Sequence, residues 1–121
     1  MKSKKTLVLG ATTNPERYSY LAVKKLVEYH HEVIPVGIRK GEIEGIKIEN
    51  NKPVLKSIDT ISLYLNPDHQ QEWYPYILST HPRRLIFNPG TENQELQKLA
   101  QEHGIHTEEA CTLVLLQTGQ Y

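Results

Sequence analysis

A chain of 121 residues has about the size of one domain, and 38% apolar with 23% charged residues is a mixture that can bury one hydrophobic core. Fourteen basic residues balance fourteen acidic ones, which excludes a broad cationic field of the kind that gathers nucleic acid, so any anion site has to be local. The one cysteine, Cys111, has no disulfide partner within the chain and fits a reducing compartment, the cytoplasm by default.

The start, Met1-Lys2-Ser3-Lys4-Lys5, is basic like a signal n-region, but only five consecutive apolar or small residues, Leu7 to Ala11, precede the polar break at Thr12-Thr13-Asn14-Pro15. That is too short for a secretory leader. No run reaches the roughly eighteen apolar residues of a membrane span, so no membrane partner is expected.

Thr6-Leu7-Val8-Leu9-Gly10 is a short apolar run ending in glycine, the pattern of a strand buried on both faces. From Arg17 to His30 the apolar positions Tyr18, Leu21, Ala22, Leu26 and Tyr29 recur mostly at helical spacing, with Lys24, Lys25 and Glu28 facing elsewhere. Val33, Ile34 and Val36 predict a second strand, with Pro35 near its end, where a missing ladder donor costs least. Residues 37 to 56, rich in Gly, Lys and Glu, read as a long connection holding one minor strand at Ile46-Lys47-Ile48. Ile58 to Leu65 predicts a third buried strand, stopped by Asn66-Pro67. Between Asp68 and Thr80 a helical face of Trp73, Ile77 and Thr80 is interrupted by Pro75, so the helix restarts near that proline.

Arg84-Leu85-Ile86-Phe87 is a fourth apolar run, closed by the turn signal Asn88-Pro89-Gly90. A helix with face Leu96, Leu99, Ala100 and His103 follows, with Glu92 and Glu95 in its first turn and Gly104 as C-cap. Ile105 to Glu108 is a weak fifth strand, and Ala110 to Leu116 suits strand or helix, Glu108 and Glu109 tilting it slightly towards a helix. Alternating strands and helices joined by right-handed crossovers make a doubly wound parallel sheet, an α/β single domain over 1–121. Ligands in such folds sit at the carboxyl ends of the strands, where strand order reverses. The loops after Gly10, Val36, Leu65 and Phe87 are therefore the ones that carry function.

The first of these loops, Gly10-Ala11-Thr12-Thr13-Asn14-Pro15-Glu16-Arg17-Tyr18-Ser19-Tyr20, has one glycine where the dinucleotide fingerprint needs three, Thr12 and Pro15 standing at the other two places. A standard NAD site does not fit. Two readings remain: a polar loop presenting free amides and a helix dipole to phosphate, or polar residues that only cap the helix.

The run Val8-Leu9-Gly10-Ala11, Asn14-Pro15-Glu16-Arg17 and Ser19-Tyr20 resembles the opening of the small CoA-binding proteins, which are similar in fold to the CoA-binding domain of the succinyl-CoA synthetase α subunit. The resemblance continues through Ile34-Pro35-Val36 and the turn Asn88-Pro89-Gly90 into Glu92-Asn93. It implies a Rossmann-like sheet of about five strands. It also implies a coenzyme A or acyl-CoA ligand, with phosphates at the first helix and pantetheine over the strand ends. The expected ligand residues are Gly10, Ala11, Thr12, Thr13, Asn14, Arg17 and Tyr18 in the first loop, with Gly37, Asn66, Asn88, Pro89 and Gly90 in the others. Many relatives follow a cysteine near the last strand with Met and then Glu-His, whereas this chain has Cys111-Thr112-Leu113-Val114-Leu115-Leu116. The phosphorylated histidine of the synthetase belongs to a second domain, so the resemblance implies binding and not that reaction.

The loop Gly37-Ile38-Arg39-Lys40-Gly41 carries two cations where an NAD domain places an acid for the ribose hydroxyls. Arg39 and Lys40 suit a phosphorylated ribose, the 3′-phosphate of CoA or the 2′-phosphate of NADP; solvated surface charge is the alternative. No metal-ligand spacing, nucleophile elbow or Walker loop is present, so neither a metal nor a catalytic residue is assigned. Cys111 suits an inert thiol better than a nucleophile. Trp73, Tyr74 and Tyr76 suit the core first and a homodimer contact second. The expected function is a non-catalytic carrier, sensor or regulator binding a nucleotide ligand. An NADP-dependent or acyl-CoA-modifying enzyme and an interaction domain with a vestigial pocket are the alternatives.

Overall fold

The computed structural model describes residues 2–121. Its main sheet is built from β1 (Thr6–Leu9), β2 (Val33–Val36), β5 (Thr60–Leu63), β6 (Arg84–Phe87) and β7 (His106–Glu109), all parallel, in the order β2-β1-β5-β6-β7. The chain moves outward from β1 to β2 and then crosses back to start β5 on the other side of β1. Strand order therefore reverses between β1 and β5, and the crevice expected at such a reversal opens at their carboxyl ends.

The apolar residues of each strand divide between the two faces because successive side chains point oppositely. Leu7, Leu9, Ile61, Leu63, Leu85 and Phe87 pack on one face with Trp73, Ile77 and Leu96. Those partners come from the 3-10 turn Gln71–Trp73, α3 (Tyr74–Thr80) and α4 (Gln94–Glu102), and α2 (Pro67–Gln70) precedes them. Val8 and Ile86 pack on the other face with Val23 and Leu26 of α1 (Tyr18–Glu28) and Leu116 of α5 (Thr112–Gln117). Burial of the strands on both faces is why their sequences read as apolar runs instead of alternating.

Three local expectations come out differently. Residues 37 to 56 hold an antiparallel hairpin, β3 (Glu42–Ile43) with β4 (Ile46–Lys47), not a single minor strand, because Glu44 and Gly45 both take positive φ, 52° and 77°, and reverse the chain. Tyr18 is 69% exposed and Ser19 and Val23 take the buried face of α1 instead. His103 is likewise exposed, leaving Leu96 and Ala100 as the buried face of α4. The break at Pro75 is as expected: α2 and the 3-10 turn end at Trp73, and α3 restarts with Pro75 in its first turn. The chain end forms the helix α5. Among the described residues no helix is long and apolar enough to cross a membrane.

Beneath the amino ends of the strands, Tyr121 is buried with its hydroxyl bonded to Thr6 and the Arg84 guanidinium 4.4 Å from its ring centroid. His31 packs against the same ring, centroids 4.9 Å apart, and is only 5% exposed. Its Nδ1 accepts from the Lys4 backbone N–H at 2.9 Å, which requires that nitrogen to carry no proton. Burial pushes its pKa below the ordinary histidine value, reinforced by the nearby charges of Lys4 and Arg84 and by His30, and opposed by Asp59. The unfolded chain then binds the proton more readily than the folded one. Stability is full above the ordinary histidine range and declines as pH falls through it towards the depressed folded value. Calorimetry from about pH 7.5 to about pH 5 is expected to show a falling melting temperature whose slope flattens in His31→Gln. Equal slopes refute the assignment to His31.

Candidate functional site

The carboxyl end of β1 runs straight into a backbone contact with the exit of β5. Gly10 has φ +98°, and a Cβ built there would stand 3.1 Å from the Tyr64 carbonyl carbon and 3.2 Å from the Leu65 amide nitrogen. On its other side, a Cβ at Gly37 would collide with the Ala11 carbonyl oxygen, so the β1 and β2 exits are packed equally closely. The amides of Gly10 and Ala11 both donate to the Val36 carbonyl, at 2.9 and 3.0 Å. These two residues therefore shape the cleft and have no amide to offer a ligand.

The next turn is self-bonded. Asn14 N–H donates to Thr12 Oγ1, Glu16 N–H to Asn14 Oδ1 and Arg17 N–H to the Asn14 carbonyl. None of these side chains caps α1: its N-cap is Arg17, without a side-chain bond. The capping alternative is thereby overturned. The amides of Thr12 and Thr13, and those of Tyr18, Ser19 and Tyr20 in the first turn of α1, find no acceptor among the described residues. A cluster of unused donors at the positive end of a helix is an anion site by construction.

Around this turn lies a cleft of about 930 Å³, at the upper end of the roughly 300–1,000 Å³ of small-molecule sites. Gly10, Ala11, Thr12, Thr13, Asn14, Arg17 and Tyr18 line it, as do Gly37, Arg39, Asn66, Pro89 and Gly90. Its first half holds the cations Arg17 and Arg39 beside one carboxylate, Glu16; its far half is bounded by Leu65, His69, Glu72, Trp73 and Thr91. Asn50, which nothing in the sequence singles out, fixes the β2 exit by donating to the carbonyls of Gly37 and Arg39, each at 2.9 Å.

Two expected ligand residues lie elsewhere. Lys40 is exposed and outside the cleft wall, because the chain turns away into the hairpin at Gly41, which packs on Thr13. Asn88 is 1% exposed and fully engaged: its Nδ2 donates to Ser62 Oγ and the Leu63 carbonyl, both at 3.0 Å, and its Oδ1 accepts from Thr112 N–H at 2.8 Å. It joins the ends of β5 and β6 to the start of α5 instead of touching a ligand. Tyr64 lies against this tie, its hydroxyl next to those of Ser62 and Thr112, which bond each other at 2.7 Å; burial pushes its phenol above the ordinary range. Trp73 is 5% exposed, a core residue as expected, yet it also borders the cleft. Cys111 is half-buried at the N-cap of α5. Among the described residues no three of His, Cys, Asp and Glu converge on a metal position.

The profile of the CoA binding domain family matches residues 4–117. The chain belongs to that family. This CoA binding domain is 38% identical over 64 residues to the α subunit of the ADP-forming acetate–CoA ligase I of Pyrococcus furiosus, covering 50% of this chain and 14% of that one. The chain thus spans a small part of that relative's length. A crystal structure of an uncharacterized protein is 50% identical over the whole of both chains, with a TM-score of 0.98. The dinucleotide-forming acetyl-coenzyme A synthetase 1 of Ca. Korarchaeum cryptofilum shares the fold, at 15% identity and a TM-score of 0.74 over 88% of this chain and 26% of that one.

Two substitutions test the geometry of the CoA binding domain. Gly10→Ala, at a positive φ and against backbone, is expected to destabilise by roughly 1–3 kcal/mol in urea titration. Asn88→Leu, which strands the Thr112 amide and the Leu63 carbonyl, is expected to cost about 3 kcal/mol in the same measurement. A neutral result at Asn88 contradicts its part as a tie.

Proposed function

We propose that this domain binds coenzyme A or an acyl-CoA in the cleft at the β1/β5 reversal and acts as a non-catalytic carrier, sensor or regulatory domain. One observation carries the reading: the uncapped amides at the start of α1 share a cleft with Arg39 at the β2 exit, the strand end where a ribose lies in dinucleotide folds. The amides suit the pyrophosphate and Arg39 suits a ribose phosphate, which CoA has at the 3′ position and NAD lacks. The cleft floor, made of Gly10 and Ala11 with their amides turned to Val36, offers close approach without competing donors. Pantetheine then runs past Leu65 and Asn66 towards Pro89, Gly90 and Thr91.

Family membership supports the ligand. His69 and Glu72 on the far wall are exposed.

CoA at about a hundred times its dissociation constant is expected to stabilise the protein by roughly 2.7 kcal/mol, a rise of about 10 °C in melting temperature, with NAD giving no comparable shift. Equal shifts refute the reading. Calorimetric titration is expected to show dephospho-CoA about tenfold weaker than CoA, a preference that Arg39→Ala removes and Lys40→Ala leaves intact. Equal affinities of the wild type for CoA and dephospho-CoA remove Arg39 from the site.

A further inference from the structure

The two loops that bound the far half of the cleft are joined by one side chain that does not itself line it. Gln70, the last residue of α2, is fully buried. Its Nε2 donates to the Leu65 carbonyl in the loop after β5 and to the Thr91 carbonyl in the loop after β6, each at 2.8 Å. Its Oε1 accepts from Asn93 Nδ2, also at 2.8 Å. Asn93 in turn caps α4 through Leu96 N–H and donates to the Tyr74 hydroxyl, which donates to Glu95. Both Nε2 protons are used, so the amide has no further donor and its orientation is determined.

Asn88 joins the strand ends themselves; Gln70 joins the loops one layer further out, where Leu65 and Thr91 both line the cleft. The other half is shaped by β1 and α1, and Asn50 holds the β2 exit there through the Gly37 and Arg39 carbonyls of a single loop.

We propose that Gln70 is a positioning residue that sets the width of the far half of the cleft, and so governs how tightly the pantetheine arm of the ligand is held without affecting the nucleotide end. The proposal rests on the CoA reading above. A near-isosteric Gln70→Met keeps the volume but strands both carbonyls, and the two loops are free to separate. Gln70→Glu keeps the shape and the acceptor for Asn93, yet turns an oxygen towards two carbonyl oxygens. Only its protonated form can donate, and then to one of them.

The test compares CoA with adenosine 3′,5′-bisphosphate, which has the nucleotide end and no pantetheine, by calorimetric titration of the whole chain. In the wild type CoA binds more tightly than the fragment. Gln70→Met is expected to weaken CoA about tenfold and to leave the fragment within about twofold. In Gln70→Glu the ratio of the two affinities is expected to recover towards the wild-type ratio as pH falls and the carboxyl gains its proton. The 5′-phosphate of the fragment is a monoester that titrates where the pyrophosphate of CoA does not, so the variant's ratio is divided by the wild-type ratio at each pH, and this variant carries the test if the methionine variant fails to fold. Equal weakening of CoA and fragment, or a Gln70→Glu ratio that stays a constant fraction of the wild-type ratio, overturns the role of Gln70. Failure of the wild type to bind CoA at all overturns the underlying function instead, so the two failures are distinct.

Discussion

Everything in this molecule that concerns a ligand follows from the backbone contact between the exits of β1 and β5. A parallel sheet covered on both faces has no free surface on its strands. Space exists only where the chain leaves β1 towards one side and returns on the other. At that point the two exits are close enough that any side chain at position 10 presses on backbone at a positive φ, and the second glycine, Gly37, brings the β2 exit against the same turn. The polar turn at residues 12 to 17 is held above this floor, and the cleft is what remains between it and the loops after β5 and β6.

Side-chain amides stabilise that arrangement more than charge does. The buried carboxamides of Asn88 and Gln70 and the half-buried one of Asn50 each bridge two or more polar groups, and between them they hold the exits of β2, β5 and β6. A carboxamide both donates and accepts, so it satisfies groups of either kind without bringing a net charge into a low-dielectric interior. The ion pairs do not reach the cleft: Lys25–Glu28 lies on the exposed side of α1, Lys5–Glu32 is 3.9 Å long, and the part-buried Arg84–Glu108 pair, at 3.2 Å, joins β6 to β7. A balanced overall charge is consistent with this design, since the only anion attraction required is local, from Arg17, Arg39 and the start of α1.

The strands of the main sheet were legible because burial on two faces writes itself as an unbroken apolar run, as in Thr6 to Leu9 and Arg84 to Phe87. The first loop was legible because its pattern is distinctive. Asn88 was misread for a physical reason: an Asn-Pro-Gly turn looks the same whether the amide faces a ligand or the sheet, and only the position of Ser62 and Thr112 decides. Lys40 follows Arg39 directly but lies outside the cleft wall, because the chain turns away at Gly41 into the hairpin. Gln70 and Asn50 carried no signal at all. They have the same letters as the exposed Gln71 and Asn51 beside them, and what sets them apart is bonding to backbone 21 and 13 residues away in the chain.

Trp73 is the only tryptophan of the chain, and it sits in the wall of the cleft with the Lys52 ammonium 4.7 Å from its ring centroid. An occupant of the far half replaces water beside that indole and alters the polarity it experiences, while no second indole dilutes the signal. Its ultraviolet emission thus follows occupancy of one half of the cleft without a label. A ligand confined to the opposite half, near Arg39, leaves the same emission largely unchanged, so the protein is an intrinsic optical gauge of which end of a bound molecule has been seated.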